Sequence, residues 1–400
     1  MALGAPFWRF WCAAVLANVG DGIRLAAFPL LAASLTTSPA AVGFVAAAAA
    51  LPWLVTGLAA GSLADRRGAR ALLVISDVVR ISVLIVLVGA LFTGVVSVAL
   101  VAVVSFVLGV AETVRDTAAQ TVIPRLVSPA QLERANSRLV AGELAGNEFV
   151  GPLVGGSLFA VGAALPFISN SAALAIGVLL VLSVPAALLT LPDPGDEPGD
   201  AIATGVQAGL AWLGRHRTLR TLMLAAAFVA LADSAWFAIF VLYTEARLDL
   251  GAVGFSMLLA VGALGGLAGA WAADRLIAGH RHDRVLLGSM AVTTMAPALL
   301  VVSGTVWAAV VVVVVTSGAF GVFNVAGASL RHRMVPYRVL GRVVATWRTV
   351  VYGAGALGAV AGGVLASARG LQAPFVLSAA LGLIAVAMWW RAIQEPGASA

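Results

Sequence analysis

The sequence predicts an all-α integral membrane protein crossing the bilayer twelve times, and three observations predict it. Of its 400 residues 61% are hydrophobic and only 10% are charged, with a mean hydropathy of +1.03. Soluble domains carry about 25% charged residues, so this chain cannot cover itself with a water-facing surface. Apolar stretches close to the ~20 residues that a helix needs to cross the hydrocarbon core recur along its whole length. The basic residues, 24 arginines and no lysine, gather between alternate stretches, as loops kept on one side of a membrane would.

The stretches fall at about 8–34, 41–63, 71–91, 95–122, 137–161, 165–190, 219–244, 252–276, 285–303, 306–329, 340–367 and 371–392. Helices are expected throughout, because an open sheet would leave unpaired backbone groups in lipid. The first stretch is too long for a signal-peptide core and carries Asp21 and Arg24, so it should not be cleaved. With a cytoplasmic N-terminus, 18 of the 24 arginines lie in inner loops and tails, and only Arg247 and Arg369 in outer loops. Arg24, Arg80, Arg115 and Arg348 fall inside stretches. Both termini are therefore expected in the cytoplasm. Trp8, Trp11, Trp389 and Trp390 sit near stretch ends, as interfacial anchors do. Retained loops account for the net charge of +6 without nucleic acid as a partner. Cys12 is alone, which excludes an internal disulfide and a cysteine-based metal cluster.

The composition changes abruptly at Leu191–Asp200, a polar run broken by prolines, and a weakly amphipathic segment follows it. The expected division is a bundle over residues 1–190, a cytoplasmic linker over 191–218 and a second bundle over 219–400. The halves echo one another. Asp65-Arg66 recurs as Asp274-Arg275 at an offset of 209, and Val122-Ile123-Pro124 as Met334-Val335-Pro336 at 212. Arg134 pairs with Arg342 at 208, and Gly155-Gly156 with Gly362-Gly363 at 207. Six spans per half is an even number, so both halves enter the membrane in the same sense, as a parallel repeat.

Two motifs narrow the reading. After the second stretch the chain runs Gly61-Ser-Leu-Ala-Asp65-Arg66-Arg67-Gly68-Ala-Arg70. Gly61 permits close helix contact and Gly68 a tight turn. The fifth stretch contains Gly151-Pro152-Leu-Val-Gly155-Gly156, in which proline removes a backbone donor and the glycines admit a neighbouring helix. The first motif resembles the signature loop of the major facilitator superfamily, with Ala69 where a basic residue is usual. The second resembles the fifth-helix motif of that superfamily's drug and proton antiporters, with Asn147 in place of a further glycine. Gly20-Asp21, Leu132-Glu-Arg-Ala-Asn136-Ser137 and Gly209-Leu-Ala-Trp-Leu-Gly-Arg-His-Arg-Thr-Leu219 are similar to the macrolide-efflux and enterobactin-exporter branch. The resemblance implies two six-helix bundles around a central cavity, alternating access, and export from a bacterial plasma membrane. It also implies that stretches 1, 4, 7 and 10 line the cavity. The glycines of stretch 8, Gly262, Gly265, Gly266 and Gly269, are expected at the contact between halves.

Ionisable groups at membrane depth cost about 2.5–3.5 kcal/mol each on insertion scales and mark function by default. Asp21 and Arg24 fall in stretch 1, Glu112 in stretch 4, Glu143 and Glu148 in stretch 5, Asp233 in stretch 7 and Arg348 in stretch 11. These seven are the expected proton-coupling and cargo residues. Asp21 and Arg24 share one helical face and can neutralise each other. The remaining acids outnumber their partners, so at least one is expected to exchange a proton. Arg115 and Asp116, one turn nearer the cytoplasm than Glu112, are expected to meet Asp65 and Arg70. With Gly61, Arg66, Gly68, Asp274 and Arg275 they would form an inner gate. Trp53, Trp236, Phe237, Phe240, Trp347 and Tyr352 are candidates for an apolar cavity lining.

No phosphate-cradling loop ending in Lys-Ser or Lys-Thr is present, which excludes the usual ATP-driven pump. His280-Arg-His282 has no third ligand nearby, so no metal or other cofactor is expected. No nucleophile and base constellation suggests an enzyme. The expected function is proton-coupled export of a lipophilic small molecule, cationic ones included, by a monomer. Two alternatives stand beside it: export of an anionic siderophore held by Arg24, Arg115 and Arg348, or a non-transporting membrane sensor.

Overall fold

Unbroken apolar composition at membrane-crossing length turns almost every predicted stretch into a long helix. The computed structural model describes residues 3–189 and 202–394, with their side chains except at 55–67, 187, 202–208 and 337–338. No strand occurs among the described residues. The helices are α1 (Ala5–Leu35), α2 (Pro39–Arg67), α3 (Ala69–Thr93), α4 (Val98–Leu126), α5 (Leu132–Glu143), α6 (Gly151–Val161), α7 (Leu165–Ser183) and α8 (Ile202–Arg215). They continue with α9 (Arg217–Phe237), α10 (Phe240–Leu248), α11 (Ala252–Gly279), α12 (His282–Met295), α13 (Leu299–Val302), α14 (Val306–Met334), α15 (Tyr337–Arg369) and α16 (Ala373–Gln394). Among the described residues eleven segments are long and apolar enough to cross a membrane, and Pro39–Leu54 of α2 is a shorter apolar one. The linker segment forms α8, while 190–201 lie outside the described residues.

Three stretches that read as continuous are interrupted. Between α5 and α6, Leu144–Val150 winds as a wider π-helical turn, and the Gly151 N–H reaches back five residues to the Gly146 carbonyl. Pro152 has no N–H, and its ring would press on the carbonyl four residues back; the widened turn relieves that clash. The same missing donor at Pro297 ends α12 in the tight turn Ala296–Ala298. The third break, Ala238–Ile239 between α9 and α10, contains neither proline nor glycine. Tertiary contacts flank it: the Tyr243 hydroxyl donates to the Leu300 carbonyl at 2.8 Å, and the Tyr243 ring meets Phe375 edge-on.

Two compact units result. One comprises Met1–Leu35, Leu51–Asp200 and Ala252–Met257; the other comprises Thr36–Ala50, Ala201–Gly251 and Leu258–Ala400. In the first, α1 packs on α6 and α7, and α3 on α4 and α7. In the second, α9 packs on α15 and α16, and α12 on α14 and α16. The pairing scheme is the same, with α9 in the place of α1. The glycine pairs repeat as well: Gly155 abuts Ile23 of α1 as Gly362 abuts Ala235 of α9. In the first unit Phe10, Leu72, Leu73 and Val181 lie in one buried cluster; in the second Leu222, Met290 and Trp389 share another. Gly262, Gly265 and Gly269 face Val313, Val314 and Gly318 of α14, inside the second unit. That overturns their expected place between halves: a glycine row admits whichever backbone approaches, and here it is α14.

Candidate functional site

Three helices of the first unit carry the same pattern, an acid followed three residues later by arginine. They are Asp21 and Arg24 on α1, Asp77 and Arg80 on α3, and Glu112 and Arg115 on α4. Residues three apart share a helix face, so each helix presents one acid and one base together. The side chains join into a ladder of alternating sign. Glu112 Oε2 accepts from Arg24 at 2.6 Å, and Arg24 donates in turn to Asp21 Oδ1. The same Asp21 oxygen accepts from Arg80, which also reaches Asp77 at 3.4 Å. Asp77 Oδ2 accepts from Arg115 Nε at 3.2 Å, and Arg115 stands 3.8 Å from Asp116. Asp77 and Arg80 do not figure among the sequence-derived acids and bases of the site. The recurrence of one spacing on three neighbouring stretches is the signal that points to them.

Exposure grades along the ladder. The Arg80 and Asp77 side chains are 0% and 1% exposed, whereas Glu112 is 23% and Asp116 39% exposed. Four carboxylates thus face three guanidiniums, leaving one surplus negative charge, and both ends of the ladder, Glu112 and Asp116, are acidic and the more exposed. Every buried charge of the ladder has a counter-charge, as burial in a medium of low polarity demands. The sequence tally of five acids against two arginines is corrected here by Arg80 and Arg115, which turn inward.

Glu143 and Glu148 stand apart from the ladder, Glu143 just before the π-helical turn and Glu148 within it, with Glu143 exposed and Glu148 half-buried. Among the described residues no arginine pairs with them. Asp233 lies on α9, which has the packing place of α1 in the second unit, and its neighbour at the third position is Trp236 instead of an arginine. The Trp236 indole N–H is buried without an acceptor at hydrogen-bond geometry, and Asp233 is the carboxyl beside it. Trp236 meets Phe237 and Phe240 edge-on, with ring centres 5.6 and 5.3 Å apart. Among the described residues Asp233 has no ion pair, and α9 ends one turn later. Of the expected cavity lining, Phe237 and Tyr352 are exposed while Trp236, Phe240 and Trp347 are buried, Trp347 under the Arg331 guanidinium. Arg348 is exposed and engaged.

The fifth-stretch motif acts through backbone approach. A methyl group at Gly22 would stand 2.6 Å from the Asn147 carbonyl and 2.7 Å from that of Gly146. Gly151, Pro152, Gly155 and Gly156 are all buried. Of these, Gly151 and Gly155 press on Gly22 and Ile23, which seats α1 and so positions Asp21 and Arg24. Of the expected gate, the side chains of Gly61, Asp65 and Arg66 lie outside the described residues. Gly68 has φ +74°, the turn expected of it, and caps α3. Arg70 donates to the Leu182 carbonyl at 2.7 Å at the end of α7. Arg115 meanwhile turns to Asp77 and the Ala13 carbonyl, so the expected meeting with Arg70 does not occur. Asp274 is exposed, and Arg275 stacks 3.8 Å above the Trp271 ring.

The sequence profile of the transmembrane secretion effectors matches residues 4–399. The chain belongs to this family of the major facilitator superfamily. This facilitator is 29% identical over 386 residues to the multidrug efflux pump Tap of Mycolicibacterium fortuitum, spanning 93% of this chain and 91% of that protein. It is 26% identical over 403 residues to the Tap pump of Mycobacterium tuberculosis (strain ATCC 25618 / H37Rv), spanning 95% and 93%. Among solved structures, the nucleoside transporter NupG superposes with a TM-score of 0.79 at 13% identity, covering 98% of this chain and 100% of that one. A bacterial homologue of the iron transporter ferroportin in its inward-facing state gives 0.79 at 16%, covering 98% and 99%. At such identities the structures speak for the fold alone. The facilitator is a multi-pass membrane transporter and not an enzyme.

Proposed function

We propose that this facilitator exports a lipophilic small molecule, cationic ones included, in exchange for protons. It does so by alternating access between bundles 1–190 and 219–400, as a monomer with both termini in the cytoplasm of a bacterium. The observation that carries the coupling is the surplus carboxylate of the ladder, shared between its two accessible acidic ends, Glu112 and Asp116, one turn apart on α4. A proton bound there cancels the surplus, and its release restores it. The occupant of the site thereby changes the charge that α4 presents, and a two-state transporter responds to such differences. Glu143 and Glu148 are secondary candidates for the same role.

Asp233 supports the cargo assignment. An acid with no basic partner among the described residues, beside indole and phenyl faces and near the carbonyl end of a broken helix, attracts a lipophilic cation three ways. An anionic cargo finds less, because Arg24 and Arg115 are already bonded to carboxylates. Inverted membrane vesicles energised with a proton gradient test the reading, with tetraphenylphosphonium as the probe cation. Wild-type vesicles should lose part of the gradient on its addition, and vesicles carrying Glu112→Gln with Asp116→Asn should not. A wild type that moves no protons, or a double variant that couples as well as wild type, would refute it.

A further inference from the structure

A groove of about 340 Å³ opens between the end of α11, the face of α12 and the middle of α14. Its walls are apolar, with Leu276, Val285, Val292 and Val322 among them, and Leu276 and Val292 are 37% and 42% exposed. At one end stand His280 and Arg284. The nearby acid, Asp283, is held in both directions by Arg281, through Nε at 3.2 Å and a second nitrogen at 2.8 Å, and also accepts from the Arg284 backbone N–H. Arg284 itself is exposed, and among the described residues its guanidinium has no carboxylate partner. His280, also exposed, engages the Leu276 carbonyl through Nδ1 at 3.2 Å. One turn before Leu276, Trp271 is 69% exposed with Arg275 stacked upon it, an arrangement that belongs at a membrane interface.

We propose that this groove binds one phospholipid with an anionic headgroup, its phosphate on Arg284 and His280 and an acyl chain along the α12 face. A free anion would use the basic end and leave the apolar trough empty, and a zwitterionic lipid would bring its own cation up against Arg284. Only an anionic lipid satisfies both halves. Gly288 lines the groove, and a Cβ built on it meets nothing within 4 Å, so the space beside it is open to a chain.

Native mass spectrometry of the purified full chain, incubated separately with phosphatidylglycerol, phosphatidylcholine and inorganic phosphate, tests this. The wild type should retain one phosphatidylglycerol in preference to phosphatidylcholine. Arg284→Ala should weaken that retention about fivefold, the value of one arginine near an anionic headgroup. Gly288→Leu should fill the trough and abolish it while melting like the wild type. Arg391→Ala, outside the groove, should change nothing. Equal retention of both lipids, retention untouched in both groove variants, or competition by inorganic phosphate at equal concentration would overturn the proposal. If Gly288→Leu fails to fold, Val292→Trp supplies the same block from the groove's exposed wall.

Discussion

Arg80 of α3, wholly enclosed, donates to the carboxylate of Asp21 on α1, and that one oxygen also receives Arg24. Two guanidiniums on one carboxylate oxygen make Asp21 the hub of the ladder. Removing one member of a buried ion pair typically costs about 3–5 kcal/mol, because its partner stays buried and uncompensated. Arg80→Ala should therefore lower the unfolding free energy in detergent by about that amount, and Arg80→Lys by less. A melting curve for Arg80→Ala that overlays the wild type would contradict the enclosed geometry.

Glu112 differs from Asp21 in being partly exposed and bonded only once in the ladder. Glu112→Gln keeps the shape and a hydrogen-bond acceptor for Arg24. Its thermal stability should stay within about 1 kcal/mol of wild type, while the dependence of export on the proton gradient is lost. Asp21→Asn should show the reverse emphasis, with stability falling first. Parallel melting and counterflow assays separate the two.

Asp233→Asn removes the charge beside Trp236 without changing volume. Export of a lipophilic cation should fall about tenfold, equivalent to roughly 1.4 kcal/mol, whereas export of a neutral lipophile of similar size should change little. Equal losses for both cargoes would remove Asp233 from cargo recognition.

Gly22→Ala places a methyl group against two carbonyl oxygens of the π-helical turn. Overpacking of this kind costs typically 1–3 kcal/mol. Because the strain falls one residue from Asp21, export should fall further than the stability loss explains. Gly68→Ala, where φ is positive but nothing lies nearby, should cost stability without that excess.

The helical architecture was legible because bilayer physics leaves few choices: apolar runs near 20 residues can hardly be anything else. The π-helical turn before Pro152 had a local cause and could be suspected from the proline. The break after Phe237 had none in its own residues; what flanks it are the contacts of Tyr243 with Leu300 and Phe375, which local sequence does not state. In the site, the pair Asp21 and Arg24 followed from helical spacing alone. Asp77 and Arg80 carry the same spacing but lie in a stretch with no resemblance to draw attention to it. Their partnership with Asp21 depends on how α1 and α3 turn toward each other, which periodicity does not state. The glycines of α11 failed for a related reason: smallness announces an approach without naming who approaches.

The ladder has a bearing on assembly as well as on transport. Helices that are oily all round gain nothing from one azimuth over another when surrounded by hydrocarbon, and could turn about their axes at little expense. Three acid-x-x-arginine couples that must interlock remove that freedom for α1, α3 and α4. Each helix has one heading at which every charge finds its opposite, so the polar ladder fixes the angular setting that greasy surfaces leave undecided.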